Sequence, residues 1–271
     1  MTGVPLIALA VLAGLLIGSF LNVCVFRWPR DLSVVHPRSF CPGCEKPIAW
    51  YDNIPLLSYA LLGGRCRHCR EFIPWRYPTV ELSTAISFGL CAAAFGWKAE
   101  TIKYSLLSAI LIALTASDME SRILPDEFTL GGTLVGFACS WWVPMPPLFV
   151  TLMIPAPYAP WRSPAESAFG AIVASGSIWL VAFLYEKFRH KEGMGLGDVK
   201  MIAMIGSFLG VYFALLTLLL ASFVGSVAGL IYIKATKKDA ATYELPFGSF
   251  LGATALAVMF VAQVWPALRG R

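Results

Sequence analysis

Four cysteines and two aspartates carry the chemistry that this sequence offers. Cys41-Pro-Gly-Cys44 and Cys66-Arg-His-Cys69 form two CxxC pairs separated by 21 residues. Each pair brings two thiolates onto one cation, and four thiolates complete a tetrahedral Zn²⁺ shell with no open position for a catalytic water. The spacing is close to that of a zinc ribbon, and no strand–helix context suggests a redox dithiol. His68 lies inside the second pair, where a surface role suits it better than ligation. The segment of about 50 residues around the pairs is too short to bury much core of its own. Metal binding would therefore supply its folding energy.

Asp118 and Asp198 stand where carboxylates are expensive. Asp118 ends the apolar run 108–117, and Asp198 closes the sequence GMGLGD (193–198) just before a run of 33 uncharged residues, 201–233. An ionisable group at membrane depth is a functional candidate by default. Two carboxylates at one depth can share a proton, one acting as base on a water while the other donates to a scissile carbonyl. Taken alone, Asp198 is equally well explained as a helix N-cap, and Asp126, after Pro125, is expected to cap. Asp118 would face the unfavourable end of its helix dipole. Asp52, Glu81 and Glu244 fall near span ends, where hydrogen-bonded or solvated roles are the default. Gly195 and Gly197 would let backbone or an extended substrate approach Asp198 closely. A dinucleotide-loop reading of these glycines fails for want of a preceding strand. Cys24, Cys91 and Cys139 lie in apolar spans and are expected to pack.

The elements that must position these groups are membrane helices. Of 271 residues, 58% are hydrophobic and 14% charged, against about 25% charged in a soluble domain, and mean hydropathy is +0.70. This excludes a soluble globular enzyme and a disordered regulator. A net charge of +5 is weak support for a nucleic-acid partner, because in a membrane protein the placement of positives reports orientation. Spans are expected at about 4–26, 80–96, 104–117, 128–143, 168–185 and 247–264. As one helix the stretch 201–233 would be about 50 Å long, too long for one crossing. Gly206 and Gly210 offer a turn, giving about eight transmembrane helices in an all-α polytopic protein.

With the N-terminus outside, 16 of the 21 Lys and Arg fall in cytoplasmic segments, eight of them between Arg27 and Arg76. Lys98, Lys103, Arg162, Arg269 and Arg271 are the outer ones. No basic stretch precedes the first span, so it is expected to be retained rather than cleaved as a signal peptide. The prolines between Pro144 and Pro164 predict an outer loop, and no internal repeat is evident. Three parts result: a first transmembrane helix (4–26), a cytoplasmic zinc-binding domain (27–79) and a transmembrane aspartic peptidase domain (80–265).

The motifs together resemble the bacterial type IV prepilin peptidases, the GxGD-type aspartic membrane proteases of pilus and type II secretion systems. The residues that carry the resemblance are GSFLNV (18–23), the two CxxC pairs, WYDNIP (50–55), RYPTVE (76–81), Asp118 with LPD (124–126), GMGLGDVK (193–200) and PFG (246–248). Two departures are Ser249, where a second proline is common, and Ser117, where an apolar residue usually precedes the aspartate. The resemblance implies that Asp118 and Asp198 are the catalytic pair. It implies cleavage after a leader glycine on the cytoplasmic face of the inner membrane, with prepilins or pseudopilins as substrates. It also implies N-methylation of the new N-terminus from S-adenosylmethionine, although no motif in this sequence marks a pocket for that donor. The alternatives are an ion- or proton-coupled transporter using the paired aspartates, or a non-catalytic zinc-bearing scaffold of a secretion or pilus assembly.

Overall fold

The computed structural model describes residues 3–146, 150, 153, 159–189, 195–236 and 245–270. Its helices are α1 (Gly3–Arg27), α2 (Leu57–Leu61), α3 (Arg76–Phe95), α4 (Ala99–Ser121), α5 (Asp126–Cys139), α6 (Ala159–Arg189), α7 (Leu196–Thr236), α8 (Phe247–Met259) and, after a π-helical turn over Phe260–Val264, α9 (Trp265–Arg269). Six helices among the described residues are long and apolar enough to cross a membrane. α7 has 41 residues but breaks at Gly210, whose φ of 83° and ψ of 169° are open to glycine and strained for other residues. With α7 counted as two and the 14-residue α5 included, there are eight apolar helical segments. Gly193, Met194, Lys191, Lys237, Lys238, Glu244, Arg271 and much of the expected outer loop lie outside the described residues.

The chain folds as two compact units, Met1–Ser117 with Val264–Arg271, and Asp118–Gln263. In the first, α1 packs on α3 and α9 also touches α3. Gly14 and Gly18, four residues apart, bring the α1 backbone against α3: a Cβ at Gly14 would lie 2.7 Å from Ala85 Cα, and one at Gly18 would lie 2.8 Å from Glu81 Cα. This is the small-residue packing that helices use in lipid, where apolar burial alone does not favour association. Leu9, Leu12, Leu16 and Phe20 of α1 are exposed, as suits a lipid-facing side. Lys103, expected in an outer segment, is instead buried within α4 at 1% exposure, its ammonium 5.7 Å from the centre of the Tyr104 ring.

In the second unit α7 is central, with α5, α6 and α8 packed on it. Met201, Ile202, Met204, Ile205, Phe208 and Leu209 form the buried face of its first half. Ser167 Oγ on α6 donates to the Ser207 carbonyl at 2.7 Å, a polar link of the kind that joins membrane helices. Gly206 is not part of the turn: it lies in helix, against the Gly170 backbone of α6. α6 starts at Ala159, so two of the prolines assigned to a loop are helical. Pro160 falls in the first turn, where a missing N–H has no helical acceptor to lose, and Pro164 forfeits one bond.

Gly206→Ala is expected to cost about 3 kcal/mol, because the new methyl meets backbone that cannot rotate away. The check is a lowered thermal midpoint in detergent. Gly176→Ala on α6, where a Cβ meets nothing within 4 Å, should leave the midpoint unchanged.

Candidate active site and metal centre

The metal centre is built from two short loops of the same design. An antiparallel bridge pairs Phe40 with Pro47, and a second pairs Arg65 with Phe72. Inside each, the first cysteine's N–H reaches the carbonyl five residues on: Cys41 to Lys46 at 3.0 Å and Cys66 to Glu71 at 2.9 Å. Each loop closes on a left-handed residue, Glu45 (φ 55°) in one and Arg70 (φ 61°) in the other. The sequence reading missed this repeat, whose shared residues are the cysteines and, just after them, Ile48 with Ile73 and Trp50 with Trp75. The two loops place the Sγ atoms of Cys41, Cys44, Cys66 and Cys69 within 4.8 Å of one another, with Cys41 and Cys69 at 3.7 Å. Zn–S bonds of about 2.3 Å require tetrahedral edges of about 3.8 Å, so the donor set fits zinc. Backbone N–H groups of Cys69 and His68 hold the Cys66 thiol down at about 7, towards the thiolate that metal binding needs.

Two contacts tie this loop to its helices, and a third braces it internally. The Arg27 guanidinium, 5% exposed at the end of α1, donates to the carbonyls of Ser33 and Pro37, each at 2.7 Å. Glu81 on α3 accepts the Leu56 N–H at 2.8 Å. Asp52 pairs with Arg67 in bidentate fashion, at 2.8 and 2.6 Å. His68 is exposed, while Cys24 and Cys91 are buried packing residues.

The aspartates are positioned by helix ends. Asp118 occupies the last turn of α4, which stops when Arg122 turns left-handed (φ 56°) and returns its N–H to the Asp118 carbonyl at 3.0 Å. The Asp118 side chain is buried at 5% exposure. Its Oδ2 accepts two hydrogen bonds from Ser249 in the first turn of α8, the backbone N–H at 2.6 Å and the hydroxyl at 2.7 Å. A helix N-terminus presents unpaired donors and a positive dipole end, so α8 receives the carboxyl that the end of α4 repels. Gly248 allows the approach, since a Cβ there would lie 3.1 Å from Asp118 Cγ. A proline in place of Ser249 would have neither N–H nor hydroxyl.

Asp198 is the third residue of α7, half-buried, and lies within Coulombic range of Asp118. Gly195, just before the helix, accepts the Asp198 N–H at 3.2 Å. The extended segment after α4 inserts Leu124 between the two sides. A Cβ at Gly197 would meet Leu124 Cβ at 3.2 Å, and one at Gly248 would meet its Cδ1 at 3.0 Å. Leu124 therefore sets the spacing, with Gly197 and Gly248 providing its seats. Asp126 does not cap α5: no side chain caps that helix, and the Asp126 carboxylate is taken by Lys200 at 2.7 and 2.9 Å. Both partners are partly exposed, so the pair is worth under about 1 kcal/mol. Asp126→Asn is expected to keep cleavage within about threefold of the parent and to move the thermal midpoint slightly.

Ser249, Leu124 and Lys200 are the site neighbours that the sequence reading did not assign. A cavity of about 360 Å³ beside α1 is lined by Phe20, Val23, Arg27, Val34, Arg38 and Asn53, among others. Its lining holds two arginines, which suit a carboxylate, and no acidic group to face a sulfonium such as that of S-adenosylmethionine.

Comparison with known proteins places two profiles end to end on the chain. The bacterial peptidase A24 N-terminal domain matches residues 12–95, and the type IV leader peptidase family matches residues 105–230. A prepilin leader peptidase/N-methyltransferase of Myxococcus xanthus is 39% identical over 82% of this chain, which spans 62% of that relative. The Pseudomonas aeruginosa protein of the same name is 33% identical over 94% of this chain and 89% of its own length. The type 4 prepilin-like proteins leader peptide-processing enzyme of Escherichia coli is 34% identical, covering 95% and 94%. No solved structure matches.

Proposed function

The chain belongs to the type IV leader peptidase family, and on that premise we propose that it cleaves the leader peptides of prepilin-like proteins and N-methylates the residue it exposes. The observation that carries the peptidase reading is the pairing of two carboxylates at membrane helix ends, Asp118 on α4 and Asp198 on α7. Asp118 takes a proton from a water as that water attacks the scissile carbonyl. Asp198 donates a proton to the carbonyl oxygen, giving a neutral tetrahedral adduct. Collapse of the adduct breaks the C–N bond: the proton held by Asp118 goes to the leaving amine, and an adduct hydroxyl returns its proton to Asp198 as the new carboxyl forms. One proton shared between two carboxylates serves both halves of the reaction. Gly195, where a Cβ would meet nothing nearer than Asp198 Oδ2 at 3.9 Å, leaves room for an extended substrate strand beside Asp198, whereas the space at Gly197 is taken by Leu124.

Zinc held by Cys41, Cys44, Cys66 and Cys69 supplies folding energy to the loop 27–79 and takes no part in hydrolysis, since four thiolates close its shell. S-adenosylmethionine is the methyl source that the resemblance implies. The cavity beside α1 offers no acidic group to its sulfonium. The division into a first transmembrane helix (4–26), a zinc-binding domain (27–79) and a peptidase domain (80–265) rests on the same reading. So does an inner-membrane orientation with the N-terminus outside and the loop in the cytoplasm, supported by the distribution of Lys and Arg. The test is purified protein with a prepilin substrate, with and without S-adenosylmethionine. The expected products are a shortened pilin in both cases and a methylated N-terminus only when the donor is present.

A further inference from the structure

We propose that Ser249 is a positioning residue for the peptidase reaction, fixing the Asp118 carboxyl so that Oδ1 is the oxygen that works on the water. The inference rests on the reading of Asp118 as one of the catalytic pair. Both donors of Ser249 fall on a single oxygen, Oδ2, at 2.6 and 2.7 Å. A backbone N–H can only donate, so Oδ2 is held as an acceptor whatever the protonation of the pair. Two donors on Oδ2 favour it as the unprotonated oxygen, so Oδ1 is the oxygen better placed to carry a proton or to take one from water.

The geometry is over-determined. Ser249 and Asp118 are 7% and 5% exposed, so water does not compete for these donors. The Ser249 N–H belongs to the first turn of α8, where a donor has no helical acceptor of the usual kind; it also lies 3.2 Å from the Pro246 carbonyl, a weaker second acceptor. A Cβ at Gly248 would press on Asp118 Cγ at 3.1 Å, so the turn presenting Ser249 lies flat against the carboxyl and limits its rotation. Loss of the hydroxyl would leave one bond and allow the carboxyl to swing. The lost alignment should appear in the chemical step rather than in substrate binding.

The test is steady-state cleavage by Ser249→Ala, Ser249→Gly and Ser249→Thr, each measured on protein that elutes as the parent does in gel filtration. Alanine and glycine remove the hydroxyl and keep the N–H, and either serves if the other folds poorly. The expected result is a kcat about tenfold lower with KM within twofold, the size of one hydrogen bond to a charged group. Threonine, which keeps the hydroxyl, should restore kcat to within about threefold of the parent. Parental kcat in the alanine or glycine variant, alongside an inactive Asp118→Asn, would overturn the role of Ser249 and leave the catalytic pair standing. A rise in KM alone would also overturn it, because Ser249 would then be touching substrate. Parental cleavage by Asp118→Asn would instead remove the reading on which the inference rests.

Discussion

Replacing Asp118 or Asp198 by asparagine is expected to lower leader cleavage by at least about 10³-fold while leaving the protein folded. General acid–base groups contribute about 10²–10⁴-fold each, and groups that act as a unit lose nearly everything when one is removed. Asparagine keeps the shape of the side chain. At Asp118 its carbonyl oxygen can still accept from Ser249, which currently donates twice to that carboxyl, so the α4–α8 contact should persist. At Asp198 the helix start should persist as well, since asparagine is tolerated near helix N-termini. Single-turnover rates with enzyme in excess over substrate separate the chemical step from binding. A variant at either position that retains more than about a tenth of the parental rate would contradict the assignment.

Cys41→Ser is expected to release the metal and open the loop that carries it. Apparent binding energies of about 10–16 kcal/mol for structural zinc are folding energies for modules of this size, and few other contacts hold the two CxxC loops together. Each has a single bridge, Phe40 with Pro47 and Arg65 with Phe72. Elemental analysis should find stoichiometric zinc in the parent and none in the variant. Trypsin offers a structural readout, because Arg65, Arg67 and Arg70 are exposed and become cleavable once the loop loosens. The helical signal should survive, since the membrane helices are built from other segments. Full metal content with a trypsin-resistant loop would contradict the four-thiolate centre.

What could be seen in the sequence were the features governed by sums and spacings. Hydropathy accumulated over about 20 residues marks a span whatever its partners are, and the length limit on 201–233 required the break that falls at Gly210. The charge cost that makes an intramembrane carboxylate rare singled out Asp118 and Asp198, which lie within reach of each other's charge although 80 positions apart in sequence. The CxxC pairs announced their cluster by ligand spacing.

What stayed hidden depends on partners distant in the chain. Ser249 meets Asp118 across 131 positions, and a serine in a first helical turn is too common to signal an active-site contact. Gly206 and Gly210 look alike in sequence, yet one is a packing contact and the other a break, because the backbone of α6 decides between them. Asp126 after a proline has the pattern of a cap, but a cation two residues beyond Asp198 takes its carboxylate. Lys103 counts as an outer charge by position, while α4 extends far enough to bury it.

The central claim is that Asp118 and Asp198 direct a water onto the scissile carbonyl, with no covalent intermediate. A single turnover in ¹⁸O-water, followed by mass spectrometry of both products, tests it most directly. Direct attack predicts one heavy oxygen in the new terminal carboxyl of the released leader and none in the mature chain. A leader released without label, its new oxygen coming from an aspartyl anhydride, would contradict the account.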